Sequence, residues 1–95
     1  MDSLNGPKFR LGNTVITGRA LDALKPHIHV QERMLFRHCS GDWGDVSEAD
    51  KLANDSALLA GGSLHSVYHA PDGTEFWVIT DADRRFTTIL LPSEY

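Results

Sequence analysis

The stretch that decides the fold is Ser63-Leu64-His65-Ser66-Val67-Tyr68-His69-Ala70-Pro71-Asp72-Gly73-Thr74-Glu75-Phe76-Trp77-Val78-Ile79-Thr80-Asp81-Ala82-Asp83-Arg84-Arg85-Phe86-Thr87-Thr88-Ile89-Leu90-Leu91. It alternates with a period of two and is rich in β-branched and aromatic residues, so residues 63–69, 74–80 and 86–91 read as strands. Between the first two, Pro71 presets φ, Asp72 bonds to nearby backbone and Gly73 accepts a left-handed conformation, a hairpin signal. Asp81-Ala82-Asp83-Arg84 joins the second strand to the third, which closes a three-stranded antiparallel meander. Phe76 and Val78 oppose Trp77 and Ile79 across the middle strand, so a single helical layer cannot bury all four, and some apolar surface is expected to remain for another chain.

Upstream the period changes. Gly61-Gly62 is a helix stop, and before it Ala49, Leu52, Ala53, Ala57 and Ala60 recur with the clearest helical spacing in the chain. Asp45 or Ser47 can cap that helix, and Glu48 and Asp50 complement its dipole. Gly41-Asp42-Trp43-Gly44-Asp45 is a turn-rich junction. Residues 30–38 form a second helix, with Val30, Met34, Leu35 and His38 along one stripe. Thr17 caps a third, ended by Pro26, with Ala20, Leu21 and Leu24 on one face. Phe9, Leu11, Val15 and Ile16, broken by Gly12-Asn13, predict a short strand pair or an edge strand. The fold class is therefore α+β: two or three short helices on a C-terminal three-stranded antiparallel meander, extended by an N-terminal strand. Residues 1–7 read as a loose tail and 8–95 as one domain.

Composition limits function. The 95 residues carry a net charge of −4 with no basic run longer than Arg84-Arg85, which disfavours direct contact with nucleic acid or an acidic membrane surface. One cysteine, Cys39, leaves no internal disulfide. The N-terminus lacks the charged and apolar regions of a signal peptide, and the reading is a cytoplasmic protein outside the membrane.

Five histidines raise the question of a metal. His27 and His29 share one side of an extended segment, but His65 and His69 on a strand lie ~13 Å apart, too far to share an ion. The aspartates Asp42, Asp45, Asp81 and Asp83 lack the spacing of a calcium loop and read as turn and cap residues. His38-Cys39 reads as helix packing rather than a nucleophile with its base. No catalytic residue, metal or cofactor is assigned. Trp43 either closes the core or protrudes as an anchor.

Gly41-Asp42-Trp43-Gly44-Asp45, Asn54 with Ala57-Leu58, Ser66-Val67-Tyr68, Asp72-Gly73-Thr74, Phe76-Trp77-Val78-Ile79-Thr80, Ala82-Asp83-Arg84 and Thr87-Thr88-Ile89-Leu90-Leu91-Pro92 with Glu94-Tyr95 together resemble a family of small, mostly uncharacterised bacterial proteins of plasmids and integrated elements. The likeness spans residues 9–95. Phe76-Trp77-Val78-Ile79-Thr80-Asp81 stands where relatives carry an isoleucine and a glutamate, and Pro26-His27-Ile28-His29 also departs from them. The resemblance implies a mobile-element setting and no established activity. By analogy with anti-CRISPR and anti-restriction proteins, it suggests a non-enzymatic inhibitor that occupies a host surface built for nucleic acid. The expected partner-binding residues are Asp42, Trp43, Asp45, Trp77, Asp81, Asp83 and Arg84. Two other readings are a small metal-dependent hydrolase using His65, His69, Asp81, Asp83 and Arg84, and a homodimeric accessory protein of the element.

Overall fold

A computed structural model describes residues 6–95; most of the N-terminal segment read as a tail lies outside the described residues. The chain runs β1 (Asn13–Ile16), α1 (Gly18–Leu24), α2 (Val30–Cys39), α3 (Glu48–Ala60), β2 (Leu64–His69), β3 (Glu75–Thr80) and β4 (Phe86–Leu90), and closes on a 3₁₀ turn, Pro92–Glu94. The α+β class holds. The sheet is four-stranded in the order β1-β4-β3-β2, and β1 runs parallel to β4, so it is mixed. This corrects the expectation of a three-stranded antiparallel sheet: β2, β3 and β4 do meander, but the N-terminal strand joins β4 as a parallel neighbour.

The helix starts follow from local chemistry. Thr17 accepts the Ala20 amide and caps α1, while Ser47 rather than Asp45 accepts the Asp50 amide and caps α3. Gly61 takes the left-handed conformation that ends α3. Alternation along the strands sets the two faces of the sheet. Leu64, Ser66, Tyr68, Phe76, Val78, Thr80, Thr87 and Ile89 are in register on one face and buried, under Ala20 and Leu24 of α1 and Met34 and His38 of α2. On the other face Trp77 and Ile79 are only half-buried, as the opposition across β3 requires. The chain's own C-terminus covers part of that face: the Tyr95 ring packs 5.2 Å from Trp77, and Glu94 accepts bonds from Thr17 and from the Leu91 amide.

Candidate functional site

The β2 edge explains the Gly-Asp-Trp-Gly-Asp junction. An edge strand presents unpaired amides and carbonyls that invite another chain. At Val67 both groups are satisfied, because its amide donates to the Trp43 carbonyl and its carbonyl accepts from the Asp45 amide. Gly44 makes this approach feasible: it has φ of 74°, and a Cβ there would overlap the Val67 carbonyl and the Tyr68 ring. Two residues along, the Asn54 side-chain amide takes the place of a peptide group, donating to the His65 carbonyl at 2.9 Å and accepting its amide at 3.1 Å. The junction and Asn54 together close the edge.

Asn54 thereby fixes the rotation of α3. With Asn54 turned inward and buried, Leu58 and Ala57 are half-buried beside it. At 100° per residue the opposite side of the helix comprises Ala49, Leu52, Ala53, Ser56, Leu59 and Ala60, all exposed. Leu52 is 67% and Leu59 93% exposed. The stripe that identifies the helix in the sequence therefore faces solvent, save for Ala57.

Acidic groups stand around this stripe. Glu48 and Asp50 lie in the first turn of α3 and Asp55 on its flank, against one base, Lys51, which pairs with Glu48 at 3.4 Å. At the other end Arg84 holds the β3–β4 turn against the helix terminus. Its guanidinium donates to the carbonyls of Ala57 (3.1 Å), Gly62 (2.6 Å) and Asp81 (3.0 Å), which caps α3. Arg84 is also the one non-glycine with positive φ among the described residues, at 62°. Asp83 accepts the Arg85 amide at 3.0 Å, and Asp81 is exposed with no ion-pair partner among the described residues.

The residues expected to bind a partner are thus divided. Asp81, Asp83 and Arg84 meet the C-terminal end of α3. Trp77 lies on the far face of the sheet beside Tyr95, with its Nε1 donating to Glu75. Trp43 is 4% exposed and closes a subsidiary cluster with Phe9 and His38, its Nε1 donating to Asp55; its ring is core rather than a surface anchor. Asp42 is held by Arg37 through two hydrogen bonds, of 2.7 and 3.1 Å, which keep its carboxyl below the usual range. Asp45 pairs with His69 at 2.8 Å, which raises the imidazole pKa. Both aspartates therefore belong to the helix α2 side of the fold.

Sequence reasoning did not find Leu52 and Leu59 as surface residues. The signal was present in one polar residue, Asn54, set opposite an uncharged stripe. It also missed the buried polar chain from His38, described below. Among the described residues no three His, Cys, Asp or Glu side chains are grouped to hold a metal ion, and no helix is long and apolar enough to cross a membrane. His65 and His69 keep the separation expected of a strand, and Asp81 lies at the opposite end of the hairpin from His69. A scan of protein-family models and searches of curated proteins and of solved structures found no match to the chain.

Proposed function

We propose that this chain is a non-enzymatic protein-binding module that docks through the outward face of α3. The supporting observation is the apolar stripe centred on Leu52 and Leu59, which the fold leaves to solvent although a helix normally turns such a stripe inward. Charge specifies the partner. Carboxylates flank the stripe at both ends, so the complementary surface is an apolar patch bordered by Lys and Arg. Basic borders of this kind are what nucleic-acid-handling proteins carry. Together with the net charge of −4 and the resemblance to mobile-element proteins, this favours inhibition of a host defence complex, CRISPR or restriction.

The test places a photo-crosslinking residue at Ser56, in the middle of the stripe, in a host with active defence. One discrete adduct and weakened defence are expected, and Leu52→Asp with Leu59→Asp should abolish both while leaving circular dichroism unchanged. A folded double variant that retains the adduct or still blocks defence would overturn the assignment of α3. A full-strength defence response in cells expressing the parent protein would remove the inhibitor reading.

A further inference from the structure

Helix α2 carries a second arrangement of charge. His29, Arg33 and Arg37 follow one another at i, i+4 and i+8, so three basic side chains line one helix face. Together with His69 across from them they border a half-open cleft of about 410 Å³, between α2 and the β2–β3 hairpin. Its remaining lining is Val30, Met34, Tyr68 and Pro71; no carboxylate lines it, although the chain as a whole is acidic. A cleft of this volume lies within the range of small-molecule sites.

The four basic groups are not equivalent. Arg37 is neutralised by Asp42 and lies 4.7 Å over the Tyr68 ring, which stacks its guanidinium and leaves 40% of the side chain exposed. His69 is matched by Asp45 and Glu75. Arg33 and His29 have no ion-pair partner among the described residues. An anion in the cleft would pair with the Arg33 guanidinium and accept a hydrogen bond from a His29 ring N–H. A planar ring attached to it could lie on the exposed face of the Arg37 guanidinium, continuing the stack that Tyr68 begins. The adjoining depression, of about 580 Å³, shares His29, Arg33 and Arg37 and adds the exposed Phe36 ring together with the carboxylates of Glu32 and Asp42, so it has room for further uncharged parts of a ligand but not for its anion.

We propose that this cleft binds a planar aromatic ring carrying a carboxylate or phosphate, with the anion on Arg33 and His29 and the ring on Arg37. The site is independent of α3 and of any protein partner. Its affinity should be modest, with Kd on the order of 0.1–1 mM, because the cleft is half-open and only one arginine is unmatched.

The experiment is an amide chemical-shift titration of the whole chain with indole-3-acetate and with adenosine monophosphate. Tryptophol and adenosine serve as neutral counterparts. Saturable shifts at residues 29–37 and 68–71 are expected with the anions and at least roughly tenfold weaker binding with the neutral compounds. The anion that binds tighter identifies carboxylate or phosphate as the preferred group. Arg33→Gln, an exposed change, should weaken the anions by about tenfold, and His29→Gln by less. Absence of saturable shifts up to about 10 mM of either anion, which places Kd well beyond the expected range, overturns the proposal. So does equal binding of the neutral compounds, or unchanged affinity in Arg33→Gln.

Discussion

His38 Nδ1 lies 2.5 Å from Ser66 Oγ, and both side chains are fully buried. The other ring nitrogen, Nε2, is 2.8 Å from Thr80 Oγ1, which is 2.7 Å from Thr87 Oγ1, and Thr87 donates to the Leu11 carbonyl at 2.6 Å. That carbonyl can only accept, so the direction of the whole chain is determined. Thr87 donates to it, Thr80 donates to Thr87, His38 Nε2–H donates to Thr80, and Ser66 donates to Nδ1. The serine–histidine contact thus holds a neutral imidazole in one tautomer and ties α2 to three strands.

Burial lowers the His38 pKa from its usual 6.5 to about 3. The neutral ring is therefore favoured by folding. Its contribution is fully present above pH 6.5 and is lost as pH falls from there toward 3, since the unfolded state binds the proton first. Urea denaturation at a series of pH values should show stability dropping over this window, by an amount on the order of 5 kcal/mol from this group. His38→Gln, which cannot titrate, should flatten that dependence and lower stability at neutral pH. A parent slope that persists in His38→Gln would show that other groups govern the acid response.

Two glycines with similar φ should behave differently. Gly44→Ala combines φ of 74° with overlap on Val67 and Tyr68, and is expected to cost at least about 3 kcal/mol and to open the β2 edge. Gly61→Ala, at φ of 88° with open space around it, should cost only about 1–2 kcal/mol. Hydrogen exchange at the Val67 amide distinguishes them: it should accelerate in the first variant and stay near the parent rate in the second.

Asn54 is the one side chain that satisfies both backbone groups of His65. Asn54→Leu matches the helix's apolar character but leaves an amide and a carbonyl unpaired, and should destabilise by about 1–3 kcal/mol. Asn54→Asp keeps the acceptor and loses the donor, placing a carboxylate against the His65 carbonyl, and should be worse than leucine at neutral pH. Thermal melts of the three proteins test that order.

Asp81→Lys reverses the carboxylate at the C-terminal end of α3 that has no partner to lose. Fold stability should change by less than ~0.5 kcal/mol. Association with the partner recovered through Ser56 should slow, more at low salt than at high, while dissociation changes little. Equal association rates by surface plasmon resonance would separate the acidic border from the docking role of Leu52 and Leu59.

Much of this architecture was legible in the chain. The three C-terminal strands, the Pro-Asp-Gly hairpin, the helix caps at Thr17 and Ser47 and the stop at Gly61 are local events, set by side-chain reach and backbone freedom within a few residues. The opposition of Phe76 and Val78 to Trp77 and Ile79 was equally plain, because alternation along a strand is geometric. Three features needed the tertiary structure. The parallel pairing of β1 with β4 joins residues far apart in sequence, so no turn between them could announce it. The place of His38 on the inner stripe of α2 was legible, but not the hydroxyls of Ser66 and Thr80, delivered by β2 and β3, that satisfy both ring nitrogens. The outward turn of α3 was decided by Asn54, whose amide completes an exposed strand edge. With Asn54 held by both backbone groups of His65, the 100° step of the helix leaves Leu52 and Leu59 on the side turned away from the sheet, in water.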